Sequence, residues 1–142
     1  MSNKVVICGV DTSTLPKFTA QELSELMIKI KQGDESAKQQ FIFGNMRLVL
    51  SVVQRFVNRK ENMDDLFQVG CVGLLKAIEN FDMSLNVKFS TYAVPMIVGE
   101  IRRFLRDNSA IRVSRSLRDI AYRALQSREK LGATYQREPT LE

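Results

Sequence analysis

Apolar residues recur at helical spacing along most of the chain, and the interruptions between these runs divide it into six predicted helices. The first helix follows a capping box formed by Thr19 and Glu22, and it ends at Gly33. Its apolar face consists of Leu23, Leu26, Met27 and Ile30. The first 17 residues show no helical period and no partner strand, so we interpret them as an arm.

A glycine separates the next two predicted helices. Asp34 is suited to cap a short helix that ends at Gly44, and Asn45 is suited to cap a third helix over residues 46–58. The third helix is apolar nearly all round, which is typical of a helix at the centre of a core.

The fourth helix, predicted over residues 63–81 with Asn62 as its cap, has an apolar stripe and a polar one. The apolar stripe is Leu66, Gly70, Leu74, Ile78 and Phe81. The polar stripe is Asp64, Asp65, Gln68, Lys76 and Glu79. Gly70 and Gly73 each cost about 1 kcal/mol relative to Ala inside a helix, so we expect another helix to cross closely there.

The fifth helix contains Pro95, which costs about 3 kcal/mol in a helix interior, so we expect a late start or a kink between residues 92 and 96. A sixth helix extends to about residue 130. Ser116 is favoured over Ser114 as its cap because Asp119 lies three residues further on. Residues 139–142 read as the opening of another, truncated helix. Together these elements predict an all-α fold.

The net charge of +5 is unevenly distributed along the chain. Residues 1–85 hold ten basic and ten acidic side chains, whereas residues 86–142 hold eleven basic and six acidic ones, so the whole excess lies in the second part. Nine of those eleven basic residues are Arg, which suits phosphates and base edges. The charge alone leaves a polyanion partner and a solvated basic face equally open.

Several classes of protein are disfavoured by the composition. The chain has no His and two distant cysteines, Cys8 and Cys71, so His-dependent catalysis, zinc binding and a disulfide scaffold are not expected. It shows no phosphate-binding glycine loop, signal peptide or long apolar run. We therefore expect a cytoplasmic protein that is not an enzyme, with no cofactor, metal, membrane partner or small-molecule substrate.

Three segments in order resemble the sigma-70 family of bacterial RNA polymerase sigma factors. They are residues 45–49 (NMRLV), 64–74 (DDLFQVGCVGL) and 88–93 (KFSTYA). Residues 94–101 (VPMIVGEI) and 111–117 (IRVSRSL) are similar to the sporulation and stress branch. The opening segment, residues 6–13, most resembles the late forespore member of that branch.

The resemblance implies an N-terminal arm over residues 1–18 and a compact helical sigma region 2 domain over residues 19–108. It also implies the first helix of sigma region 3 over residues 109–142. Such a protein docks on the beta-prime clamp helices of core RNA polymerase, recognises and melts the promoter minus-ten element, and starts transcription of sporulation genes in the forespore. Its branch is controlled by anti-sigma factors. One that covered the helices between residues 45 and 75 would block polymerase by competition.

The resemblance also assigns candidate residues. The polymerase-docking set is Asp64, Asp65, Gln68, Cys71 and Leu75. The set that captures unpaired bases is Phe81, Lys88, Phe89, Thr91 and Tyr92. The set that meets the minus-ten DNA is Gly99, Arg102, Arg103 and Arg106, and the set just upstream is Arg112, Arg115 and Arg118.

General chemistry is consistent with these assignments but leaves alternatives. Arginines three and four apart form one helix stripe, and aromatics can stack on extruded bases for about 1–3 kcal/mol each. Phe89 and Tyr92 could instead be core aromatics, and Phe81 is mainly core in either case. Primary sigma factors have two tryptophans where this chain has Pro95 and Met96, so we expect weaker melting and dependence on a well-matched promoter.

Two other functions remain possible from the sequence. A helical interaction module held by an anti-sigma regulator would not need the arginine stripe. A simple helix-turn-helix repressor would bind duplex DNA without polymerase, and the polar stripe around Gln68 would have no role in it.

Overall fold

The computed structural model describes residues 6–57, 61–108, 111 and 113–140, and in this part of the chain it contains five α-helices and one short β-hairpin. The strands are β1 (Val6–Ile7) and β2 (Val10–Asp11), and the helices are α1 (Ala20–Lys31), α2 (Glu35–Val53), α3 (Met63–Asn80), α4 (Phe89–Asp107) and α5 (Arg115–Tyr135). Single 3-10 turns follow α2 and precede α4. The all-α prediction is confirmed.

The chain divides into two compact units, residues 1–105 and 106–142. In the first unit, α1 to α4 enclose one core whose most buried large side chains include Phe41, Met27, Leu66 and Ile97. The predicted capping box of α1 is confirmed, since the N–H of Glu22 is bonded to the Thr19 hydroxyl and the N–H of Thr19 to the Glu22 carboxylate. The predicted cap of α3 is also confirmed, with Asn62 Oδ1 accepting from the N–H of Asp64 at 2.9 Å.

The prediction of two separate helices around Gly44 is wrong, because α2 continues from Glu35 to Val53. Gly44 is an interior position against which the ring of Phe18 packs, so closely that a Cβ there would overlap the ring. Asn45 is buried, and its Nδ2 donates to the carbonyl of Phe41 at 2.9 Å instead of capping a new helix. Glycine is therefore needed here for close approach rather than for a helix end.

The expected close crossing at the glycines of α3 is confirmed. A Cβ on Gly70 would lie 2.7 Å from Cγ1 of Val49 in α2, and a Cβ on Gly73 would lie 2.7 Å from Cα of Ile97 in α4. Helices α2 and α4 thus both approach α3 closely, at glycines one turn apart. Three buried elements meet in this region, and side chains as small as Ala would force them apart.

Helix α4 begins at Phe89 and includes Pro95. Of the two outcomes expected for this proline, the late start is wrong, and a kink between residues 92 and 96 stays a prediction. Proline lacks an N–H, which removes the hydrogen bond that this position would make to the carbonyl of Thr91. The side chain of Pro95 is exposed, whereas Ala93, Ile97 and Ile101 form the buried face of α4. Packing of that face supports the helix across the missing bond.

The arm contains a hairpin, so the expectation of no partner strand is wrong. Val6 pairs with Asp11 and Ile7 with Val10 in antiparallel register. The two connecting residues, Cys8 and Gly9, both have positive φ, at 52° and 76°, as a type I′ turn requires. The arm then runs through the buried Leu15 to the cap of α1.

The second unit contains α5, whose cap is Ser114 rather than the favoured Ser116. The Ser114 hydroxyl accepts from the N–H of Leu117, while Ser116 is bonded to the Ser114 hydroxyl. The helix continues to Tyr135, beyond the expected end. None of the helices described is long and apolar enough to cross a membrane.

Candidate nucleic-acid interface

The predicted docking set lies on the outward face of α3. Asp64, Asp65 and Gln68 are exposed, while Cys71 and Leu75 are half-buried at the edge of that face. The opposite face of α3 is buried and contains Leu66, Phe67, Gly70, Gly73, Leu74, Ala77 and Ile78. Asp64, Asp65 and Gln68 therefore take no part in the core.

The thiol of Cys71 is partly buried at the edge of the docking face, close to the thiol of Cys8. Burial, and then the neighbouring Cys8 thiol, raise the pKa of Cys71 to about 11. Cys71 is consequently a protonated thiol at neutral pH and contributes as a small apolar group. In the part of the chain that the structure describes, no cluster of three His, Cys, Asp or Glu side chains could hold a metal ion.

The predicted aromatic set is largely packed together. The ring of Phe89 meets those of Phe41 and Phe81 edge to face, with centroids 4.8 and 5.3 Å apart. Phe81 is buried, at 8% exposure, and Tyr92 lies beside it with its hydroxyl donating to the carbonyl of Asn80 at 3.4 Å. These contacts indicate that all three rings help to stabilise the fold, although Phe89 and Tyr92 remain half-exposed.

A cleft of about 510 Å³ opens between α1, α2 and the segment that leads into α4. Its lining combines rings with polar side chains. The residues that matter here are Leu23, Asn45, Phe81, Lys88, Phe89 and Ser90. Lys88 lines the cleft and is exposed. Thr91, which is also exposed, and Tyr92 do not line it.

Asn45 and Ser90 also line this cleft, and neither is among the site residues predicted from the sequence. No periodicity could identify them, because the cleft forms where three distant segments meet.

The predicted arginine set lies on the outer face of α4. Gly99 faces open space, and Arg102 and Arg103 are exposed, with Arg106 one turn further along and half-buried. Arg106 is bonded to the adjacent Asp107 at 3.2 Å. Arg102 has no carboxylate partner among the described residues, so its guanidinium is open to an anion.

Glu100 modifies this basic face and was not identified from the sequence, although its i,i+3 spacing to Arg103 is visible there. Its carboxylate is bonded to Lys76 of α3 at 2.6 Å and lies 3.8 Å from Arg103. The ion pair of Glu100 with Lys76 links α4 to α3, and the Glu100 carboxylate offsets part of the positive charge of the arginines on α4. The face is therefore less basic than its arginine count suggests.

The predicted upstream set is only partly described. Arg115 and Arg118 are exposed in the first turn of α5, in the second unit. Arg112 lies outside the described residues.

Comparison with known proteins gives consistent matches. A family profile described as Sigma-70 region 2 matches residues 42–111. The chain is 66% identical over 139 residues to the RNA polymerase sigma-G factor of Clostridium acetobutylicum. The aligned residues make up 98% of the chain and 54% of that protein. With the sigma-G factor of Bacillus subtilis the identity is 64% over 141 residues, or 99% of the chain and 54% of the relative.

A putative sigma-G factor of Bacillus thuringiensis subsp. kurstaki is 65% identical over 122 residues, which cover 86% of the chain and 98% of that protein. The helical fold and these matches define the class, and the chain belongs to the sigma-70 family of RNA polymerase sigma factors. Within the family it is similar to sigma-G factors at 64–66% identity over most of its length, so the resemblance to the sporulation branch is confirmed.

The chain spans about half the length of the sigma-G factors from C. acetobutylicum and B. subtilis. Sigma factors are transcription initiation factors rather than enzymes, which confirms the expectation that this chain is not an enzyme.

Proposed function

We propose that this chain is the part of a sigma factor that docks on core RNA polymerase and recognises the promoter minus-ten element. The observation that carries the proposal is the pairing of two outward faces on packed helices. Helix α3 exposes Asp64, Asp65 and Gln68, and α4, packed on it at Gly73, exposes Arg102 and Arg103. An acidic face and a basic face on one rigid core suit two different partners.

The α3 face is the proposed contact for the beta-prime clamp helices of polymerase. Its support is the separation of roles on α3, where the buried stripe builds the core and the polar stripe does not. Two carboxylates and an amide in successive turns present directional groups to basic and polar side chains of a partner helix. The half-buried Leu75 adds an apolar edge to the same face.

The proposed contact for the unpaired minus-ten strand is the cleft beside Phe89. Lys88 supplies a positive charge for the backbone, and the partly exposed ring of Phe89 supplies a stacking surface. Stacking of about 1–3 kcal/mol offsets the few kcal/mol lost when a base leaves the duplex. Melting would follow from capture of flipped bases, without catalysis. The arginines of α4 would contact the adjoining duplex. Arg115 and Arg118 of the second unit are assigned to the DNA just upstream by the family resemblance alone.

Three finer proposals come from the family resemblance. The promoters served are those of sporulation genes, and the site of action is the forespore. Regulation is by an anti-sigma factor that competes with polymerase for the helices between residues 45 and 75. Melting is weaker than with a primary sigma factor, because no tryptophan is present to wedge the upstream edge of the bubble.

The docking surface is tested by measuring the affinity of core RNA polymerase for the double variant Asp65→Arg with Gln68→Arg. A matched control is Gln21→Arg with Glu25→Arg, because it changes the charge equally on exposed positions of α1. We expect the first variant to lose polymerase binding and the control to keep it. Unchanged binding in the first variant would contradict the docking surface and favour an interaction module held by a regulator.

A further inference from the structure

The β-hairpin of the arm lies on the face of α3 that carries the docking set. The N–H of Cys8 donates to Asp64 Oδ1 at 3.4 Å, and the Cys8 thiol donates to the carbonyl of Asp64 at 3.6 Å. One turn further along α3, Gln68 Nε2 donates to Cys8 Sγ at 3.7 Å. The turn of the hairpin thus engages two of the polar groups that a docking partner would need.

Any helix that docks on α3 must approach within about 8–10 Å of its axis. At that distance the side chains of the two helices interdigitate, and a strand pair lying over Asp64 and Gln68 occupies the same space. The hairpin and a docked polymerase helix therefore exclude each other at this position.

The hydrogen bonds between the hairpin and α3 are weak. The three that join Cys8 to Asp64 and Gln68 are long and exposed. Val6 is 59% exposed, Cys8 and Gly9 are exposed, and Val10 is only half-buried. Strands of two residues are too short to be stable by themselves. These hydrogen bonds therefore contribute little free energy to holding the hairpin on α3.

The root of the arm is held firmly and separately. Arg47 Nη2 of α2 donates to the carbonyls of Thr12 and Leu15, each at 3.3 Å, and the side chain of Leu15 is buried. Phe18 packs against Gly44. The hairpin can therefore swing away while residues 12–18 stay in place, which keeps it tethered beside α3.

We propose that the hairpin of residues 6–11 is an autoinhibitory cover, which closes the polymerase-docking face of α3 in the free chain and is displaced when polymerase binds. The proposal rests on the proposed function, since it assumes that Asp64, Asp65 and Gln68 meet polymerase. Its effect is to lower the affinity for polymerase by the stability of the closed hairpin, because only the open form is competent to bind.

The test is the Kd of purified core RNA polymerase for the full chain and for a chain lacking residues 2–11. Loss of the cover should tighten binding by about fivefold to tenfold, which corresponds to two or three exposed hydrogen bonds at the low end of their usual strength. Unchanged or weaker binding would overturn the proposal, and weaker binding would make the hairpin part of the docking surface.

Point variants give the same test without a deletion. Gly9→Val places a β-branched residue at φ 76° and should open the hairpin and tighten binding about twofold to threefold. Gly33→Val is the matched control, because it introduces the same kind of strain at φ 90° after α1 and should not tighten binding. Equal effects of the two variants would contradict the proposal.

Failure of the proposed cover can be distinguished from failure of the proposed docking surface. If Asp65→Arg with Gln68→Arg abolishes binding while deletion of the hairpin changes nothing, the docking surface stands and the cover is wrong. If the double variant binds normally, both are wrong.

Discussion

The substitution Gly73→Ala tests how closely α3 and α4 cross. The new Cβ would lie 2.7 Å from Cα of Ile97 and 3.1 Å from the carbonyl oxygen of Met96, whereas unstrained carbon contacts lie at about 3.5–4.0 Å. The atoms in the way are backbone, so no rotamer change can relieve the overlap. Overpacking of this kind costs about 3 kcal/mol, and the better helix propensity of Ala returns about 1 kcal/mol.

The expected net loss is about 2 kcal/mol, or a fall in Tm of roughly 10 °C for a domain of this size. Thermal unfolding followed by circular dichroism measures it. Gly99→Ala is the matched control on α4, because a Cβ there meets nothing within 4 Å and should raise stability by up to about 1 kcal/mol. A Gly73→Ala chain as stable as the Gly99→Ala chain would refute the close crossing.

Three further predictions follow from individual side chains. The backbone N–H and then the hydroxyl of Thr19 hold the pKa of Glu22 below 4.5. The contribution of the Glu22 carboxylate to the free energy of unfolding is therefore complete above pH 4.5. It is lost as the pH falls through the lower pKa of the folded state. Urea unfolding across that range should show Glu22→Gln less stable than the parent at neutral pH, with the difference disappearing in acid; a constant difference would contradict the assignment. Because the pKa of Cys71 is raised to about 11, iodoacetamide near neutral pH should alkylate Cys8 well before Cys71, and mass spectrometry of peptides should show equal labelling only in denaturant. Glu100→Gln should raise the affinity of the polymerase-bound chain for minus-ten DNA by about twofold to fivefold, because it releases Lys76 and Arg103. Fluorescence anisotropy titrations measure this affinity. An unchanged affinity would show that these two cations do not contact DNA.

Local signals predicted much of the fold. The capping box at Thr19, the cap at Asn62 and the paired stripes of α3 each depend on residues within a few positions of one another, so their physics is visible in the sequence. The glycines of α3 also pointed correctly to a close crossing, because their cost in a helix requires a tertiary reason.

The errors came from residues whose tertiary contacts override a local preference. Gly44 and Asn45 are typical of a helix break, but packing of Phe18 and the buried amide bond to Phe41 keep α2 continuous. Pro95 is tolerated because the buried face of α4 supports the helix on both sides of it. The hairpin was missed because each strand has only two residues, and Cys-Gly is not among the usual type I′ turn pairs.

In the candidate site, too, features set by local sequence could be predicted and features set by tertiary contacts could not. The outward positions of Asp64, Gln68 and Arg102 follow from helical periodicity and could be predicted. The cleft at Phe89 depends on three segments distant in sequence, and the role of Glu100 depends on Lys76 in another helix, so neither could be predicted from local patterns.

The central claim is that polymerase docking and minus-ten recognition belong to one chain. It is tested most directly by titrating a fluorescent single-stranded minus-ten oligonucleotide with the chain, with core RNA polymerase, and with both together. We predict binding that needs both proteins and that is lost with Asp65→Arg plus Gln68→Arg, and also with Arg102→Glu plus Arg103→Glu. Tight binding of duplex DNA by the chain without polymerase, or a polymerase complex that ignores the oligonucleotide, would contradict it.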